Sequence, residues 1–286
     1  MSRSLCASLA LLGLIGCRAD HGAGRADPAV AAGTAPPVAA RTAGRADPQP
    51  PAAAVDADPD LKREQDEYIA DVMAFSHTTS DEVRARMKKG SAPLKDEWNA
   101  WEKQEPMTPE RIKAFYKQTT NYIYELAEWH LFVPSKRASD LALFADLRKK
   151  RPRNILDFGG GVGLLAVPLA REGFDVTLAD LDSTTLSFAV FHAKQRGVHL
   201  KVWKSDVEAA PPDKKYDVIM CMDVLEHLPR DVLHDVVDKL VKLKHAGTQI
   251  IISAPFGRTA THPMHMDLSD DTKQQIERLR TALPEG

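Results

Sequence analysis

The chain has 286 residues, 43% of them hydrophobic, enough for one sizeable α/β domain plus a smaller appendage around a buried core. Its 38 Lys and Arg stand against 40 Asp and Glu, a formal charge of -2, which leaves no basic footprint for nucleic acid and favours small-molecule or protein substrates. The three cysteines, Cys6, Cys17 and Cys221, support neither a disulfide framework nor a cysteine-based zinc site.

Arg3 precedes an apolar run over residues 5–16, too short to span a bilayer but suited to a signal peptide. The run ends Leu14-Ile15-Gly16-Cys17, which resembles the lipobox of bacterial lipoproteins. That resemblance implies cleavage before Cys17, a lipid anchor on it and a membrane location. A cytoplasmic protein is the alternative if residues 1–17 are not a working signal. Residues 18–60 are rich in Ala, Pro, Gly, Arg and Asp, with few large apolar side chains to offset the entropy of ordering, and read as a disordered linker.

A helical extension is expected over residues 61–137. Tyr68, Ile69, Val72, Met73 and Phe75 have the spacing of an amphipathic helix, and a second short helix is expected over residues 81–89, capped by Ser80 and stopped by Gly90. Thr108-Pro109-Glu110 opens a third, longer helix whose apolar face uses Ile112, Phe115, Thr119, Ile123, Leu126 and Ala127. Tyr122, Tyr124, Trp129, His130 and Phe132 near its end have the composition of a ligand lid, but helical spacing makes core packing the default.

From residue 138 onward short β-rich runs alternate with helical stretches, the pattern of βαβ units feeding a parallel sheet. Strands are expected at 154–158, 175–179, 200–203, 217–222 and 249–253, with helices at 163–172, 184–196, 230–243 and 269–279. The fold class is therefore α/β, a doubly wound, mainly parallel, Rossmann-like sheet with helices on both faces.

The first strand leads into Asp157-Phe158-Gly159-Gly160-Gly161-Val162-Gly163, where glycines permit a tight turn and close backbone approach of a ligand. Gly161-Val162-Gly163-Leu164-Leu165-Ala166 also fits the dinucleotide pattern G-x-G-x-x-A, so a flavin or nicotinamide enzyme is a rival. The charge of the turn separates them. A carboxylate at Asp157 opposes a pyrophosphate and attracts a cationic ligand carrying an ammonium and a sulfonium. Asp180 lies about 20 residues beyond the turn, the separation expected of an acid that accepts ribose hydroxyls, with Asp182 its nearest rival and an equally good helix cap.

This segment resembles motif I of the class I S-adenosylmethionine methyltransferases, and the remaining family elements follow in order. Ser205-Asp206-Val207 matches the adenine site, which implies Asp206 on the amino group and Val207 on the ring. The run Tyr216-Asp217-Val218-Ile219-Met220-Cys221-Met222-Asp223-Val224-Leu225-Glu226-His227-Leu228-Pro229 is similar to the fourth-strand motif of ubiquinone-biosynthesis-type small-molecule methyltransferases. The resemblance implies S-adenosyl-L-methionine bound by Asp157, Gly159, Gly160, Gly161, Gly163, Asp180, Leu181, Asp206, Val207 and Asp223, with methyl transfer to a small-molecule acceptor. His265, in His262-Pro263-Met264-His265-Met266-Asp267, and His227 are the candidate catalytic bases. Glu226 and His227 read equally well as fixing the loop after the fourth strand. The histidine segment also reads as a plain surface loop, and no metal site is assigned to it.

Two features pull against turnover. Few residues follow Asp267, so the family's final antiparallel hairpin is expected to be missing and the fifth strand to need shielding by the N-terminal helices, a partner or a second subunit. An exported protein also meets little S-adenosylmethionine, which keeps open a membrane-tethered binding protein without turnover.

Overall fold

The computed structural model of the chain describes residues 59–206 and 212–283, which all fall within one compact unit. The signal peptide, Cys17, residues 18–58 of the linker and Val207 lie outside the described residues. Pro59 and Asp60, read above as linker, instead open the first helix, α1 (Pro59–Ser76), which buries Leu61, Tyr68, Ile69 and Val72 along one stripe.

Helix α2 (Ser80–Met87) starts one residue earlier than its composition suggests. Thr79, not Ser80, caps it: the Thr79 hydroxyl accepts the Glu82 amide at 3.3 Å while the Glu82 carboxylate accepts the Thr79 amide at 2.9 Å. The reciprocal pair needs an acid three residues on, and Ser80 would find Val83 there. Helix α3 (Ala92–Gln104), absent from the sequence reading, buries Leu94 and Trp98. The expected long third helix is two, α4 (Pro109–Gln118) and α5 (Tyr122–Phe132), broken at Thr119 with φ -62° and ψ 135°. The buried Thr119 hydroxyl donates to Glu97 at 2.6 Å and takes the Asn121 amide at 3.2 Å, local bonds that compete with the helical ladder. Helix α6 (Pro134–Lys150) then leads into the sheet.

The sheet strands β1 (Asn154–Phe158), β2 (Asp175–Asp180), β3 (Lys201–Lys204), β4 (Val218–Met222) and β5 (Gln249–Ser253) are all parallel, in the order β3-β2-β1-β4-β5. Alternate residues face opposite layers. Ile155, Val176, Leu178, Val218 and Met220 pack under α6, α7 (Ala166–Arg171) and α8 (Thr184–Gln195), while Leu156, Phe158, Ala179, Ile219 and Cys221 pack under α9 (Arg230–Lys242) and α10 (Asp270–Thr281). Among the described residues β5 is the last strand, and no hairpin follows it. Helix α10 packs on α9 instead, its C-terminal carbonyls at Leu279, Arg280 and Ala282 held by the buried ammonium of Lys244. Helices α3 and α4 meet the loop after β5 through Met264 and Met266. Among the described residues no helix is long and apolar enough to cross a membrane.

Candidate functional site

The order of the strands reverses between β1 and β4, and open parallel sheets bind ligands in the crevice beyond the strand ends at such a switch point. A cavity of about 480 Å³ lies there. Its floor is the turn after β1, its walls are the ends of β2, β3 and β4, and its cover is α4 and α5 with Ile112, Lys113, Tyr116, Tyr122 and Leu126.

The turn is shaped by sterics. Gly159 and Gly161 have φ of +71° and +54°, and a Cβ on Gly159 would lie 2.3 Å from Val224 Cγ2, so no other residue fits without displacing that wall. Gly163, also expected to touch ligand, does not line the cavity. It lies against Val167 and Ala189, where it lets α7 approach α8.

Asp157 ends inside the protein, 1% exposed, and its Oδ2 has no partner. Burial, reinforced by the charge of Asp180, pushes its carboxyl up to about 7. Asp180 accepts the Gly161 amide at 2.7 Å through Oδ2 and the Leu181 amide at 2.6 Å through Oδ1, which fixes its orientation toward the cavity. Burial lifts it to about 6 despite those two donors. Asp182 is turned outward onto Lys204 at 3.0 Å, while Ser183 caps α8.

Asp206 lines the cavity but is already engaged. Its Oδ2 holds Lys117 at 2.8 Å and Lys113 at 3.6 Å, and its Oδ1 accepts the Asp182 amide at 2.7 Å. Burial alone would raise it, but the Lys117 ammonium leads the groups that hold it below the usual carboxylate range. Both lysines belong to α4, so the adenine-site acid is tied to the cover of the cavity. Asp223 adopts a left-handed φ of +57°, a strained conformation for a non-glycine residue, and its Oδ1 accepts the Ser253 hydroxyl at 2.6 Å.

Beyond Asp223 a 3-10 turn, Leu225–His227, brings together residues that the sequence reading kept apart. His227 Nδ1 lies 3.0 Å from the Tyr116 hydroxyl, and its ring meets that of His265 edge to face at 4.8 Å. Burial pushes His227 down to about 3, and His265 is lowered as well, first by burial and then by His262. Both imidazoles are therefore neutral at neutral pH. His227 lines the cavity and His265 stands behind it. Glu226 is fully buried, with neither carboxylate oxygen hydrogen-bonded, and burial lifts it to about 8. Glu125 on α5, unremarked in the sequence, is lifted to about 7 by burial and by the charges of Glu128 and Asp223. Of the aromatic cluster, Tyr122 and His130 line the cavity, Tyr124 is core, and Trp129 and Phe132 are exposed.

Against known proteins, residues 129–281 match the family described as a methyltransferase domain. The chain is similar to ubiquinone biosynthesis O-methyltransferases: 38% identical over 97 residues to that of Rickettsia conorii, covering 34% of this chain and 33% of the relative. It is 39% identical over 106 residues to that of Paramagnetospirillum magneticum, covering 37% of this chain and 41% of the relative. The chain thus spans well under half the length of these curated relatives. Among solved structures it is similar to the N-methyltransferase NodS of Bradyrhizobium japonicum in complex with S-adenosyl-L-homocysteine, at 19% identity and a TM-score of 0.43, covering 51% of this chain and 74% of that one.

Proposed function

This chain belongs to the methyltransferase-domain family, and from that premise we propose that it catalyses S-adenosylmethionine-dependent methyl transfer to a small-molecule acceptor. The observation that carries the reading is the pair of carboxylates around the β1 turn, Asp157 with an unpartnered oxygen and Asp180 oriented by two backbone amides. Such a pair repels a pyrophosphate and suits an ammonium and a ribose, which disfavours the flavin or nicotinamide rival. When bound, S-adenosylmethionine supplies a methyl group on a sulfonium that an acceptor displaces in line.

The chain's residues supply position. Asp180 has lone pairs left for ribose hydroxyls, Asp157 offers its free oxygen to an ammonium, and Gly159 to Gly161 permit close approach. Asp206 takes the adenine amino group once Lys117 yields it, and Leu181 and Asp223 flank the site. Tyr116, Tyr122 and Leu126 exclude water above it. His227, neutral and weakly basic, orients an acceptor hydroxyl better than it removes its proton, and His265 packs against its ring from behind the cavity.

Calorimetry on the full chain tests this. S-adenosylhomocysteine should bind, and Asp180→Ala should weaken it at least tenfold. Binding of NADH with none of S-adenosylmethionine or its product would overturn the reading. The proposal extends to location: residues 1–17 act as a lipoprotein signal and Cys17 carries the anchor, which mass spectrometry of the mature N-terminus checks directly. A chain that binds cofactor at the membrane but methylates nothing in an acceptor panel would be the tethered binding protein instead.

A further inference from the structure

Strand β5 ends the sheet on one side, and its outer edge carries unpaired backbone. Gln249 donates its amide to the Asp217 carbonyl and the Ser253 carbonyl accepts the Asp223 amide, so both residues turn their backbone toward β4. Alternation along the strand then aims the N–H and C=O of Ile250 and Ile252 away from the sheet, where neither has a partner among the described residues. Such edges are ordinarily blunted by a lysine, a proline or a bulge. Gln-Ile-Ile-Ile-Ser has neither charge nor proline, runs beside β4 residue for residue, and stays partly exposed along its whole length.

The edge is complementary to itself. A second copy, antiparallel and related by a two-fold axis beside Ile251, sets Gln249 opposite Ser253 and Ile250 opposite Ile252. The residues that face each other in this register are those with free backbone groups, so Ile250 and Ile252 exchange both of their bonds across the axis. Helix α10 suits the same axis. It shares an apolar layer with Ile250 and Ile252 through Ile276 and Leu279, and its first turn is acidic while its last is basic. Asp271 and Arg278 are spent on α9, through Arg230 and Asp238. Asp270 is exposed beside Lys273, and Arg280 is exposed with no ion pair among the described residues. Leu268 and Leu283, 47% and 53% exposed, flank the helix at its two ends. The axis stands perpendicular to the sheet, so α10 and its copy lie antiparallel on one face. Asp270 and Leu268 of each then meet Arg280 and Leu283 of the other.

We propose that the chain forms a symmetric dimer through the outer edge of β5, which joins two sheets into one and sets α10 against its copy. The strands run in opposite directions across the axis, so the two cavities open at opposite ends of the dimer. Its formation is independent of the chemistry proposed for the cavity.

Sedimentation of the full chain over a dilution series tests the dimer. Twice the mass of one chain is expected, falling to one on dilution. Arg280→Asp should weaken association at least tenfold, because two acids then face each other, and adding Asp270→Arg to it should restore the dimer. Ile252→Pro, which removes an outward amide and leaves the β4 ladder intact, should weaken it as well. Ile250→Pro replaces it if circular dichroism shows that Ile252→Pro is unfolded. Residue-resolved hydrogen exchange should find the Ile250 and Ile252 amides protected in the dimer and open in Arg280→Asp, while Gln249 and Ile251 stay protected in both. One chain's mass at every concentration, a dimer that Arg280→Asp and the proline variant leave intact, or a charge swap that fails to restore association would each overturn the interface. S-adenosylhomocysteine calorimetry on the same samples keeps the proposed function separate: cofactor binding by a monomeric chain sinks the dimer alone, and a dimer that binds no cofactor sinks the proposed function alone.

Discussion

Asp157 ends its strand 1% exposed, with one carboxylate oxygen unpartnered and Asp180 close enough to oppose its charge. Its folded pKa of about 7 stands above the ordinary 3.8, so the ligand-free fold holds this proton more tightly than the unfolded chain does. Stability is then present in full below about pH 4 and lost as pH climbs through 7. Asp157→Asn cannot ionise, so its melting temperature should match the parent's near pH 4 and exceed it increasingly toward pH 8, by on the order of 2–4 kcal/mol in stability. The same variant should bind S-adenosylmethionine at least tenfold more weakly, because the unpartnered oxygen is what an ammonium would find. A melting difference that does not widen with pH would show that this carboxylate carries no stored cost. The strain at Asp223, left-handed beside the cavity, belongs to the same pattern of local cost concentrated at the site.

At the scale of elements, helix α2 gives a clean test of where its start lies. Thr79 accepts the Glu82 amide and donates its own amide to Glu82, whereas Ser80 makes neither bond. Thr79→Ala should therefore cost about 1 kcal/mol in urea unfolding, and Ser80→Ala less than half of that. Equal costs would return the cap to Ser80. Strands β1, β2 and β4 were legible in the sequence because each is a short apolar run closed by Gly or Asp, and β1, buried on both faces, needs no more signal than that. The helices over the cavity were less so. The break at Thr119 depends on Glu97, which is 22 residues away, and α3 carries only Leu94 and Trp98 as its buried stripe. The site divided the same way: the glycine turn and Asp180 are local in sequence, but the ion pair that occupies Asp206 comes from Lys117, 89 residues upstream. Glu226 beside His265 is also a product of tertiary packing, since no spacing in the chain records it.

Across the whole molecule the N-terminal helices complete the cavity while resting on the flank of the sheet, and their attachment is concentrated. Asp71 of α1 is buried and bridges two residues of the α8 face, His192 at 2.7 Å and Arg196 at 2.8 Å, and Arg196 also reaches Glu67 at 2.9 Å. Tyr68 packs edge-on against Phe188 and His192 beside this polar group. Helix α5, which covers the glycine turn through Leu126, is in turn packed on α1, where the Tyr68 hydroxyl donates to the Ile123 carbonyl at 2.7 Å. Removing the carboxylate leaves the buried His192 imidazole without its acceptor and Arg196 with Glu67 alone, a loss of about 3 kcal/mol. Asp71→Ala should therefore loosen α1, α2 and α5 first. Hydrogen exchange should rise in those helices while β1, β2 and β4 stay protected, and S-adenosylhomocysteine affinity should fall although the variant touches no ligand. Exchange rising equally in sheet and helices would mean that the two layers unfold as one, and that the cover of the cavity has no separate stability to lose.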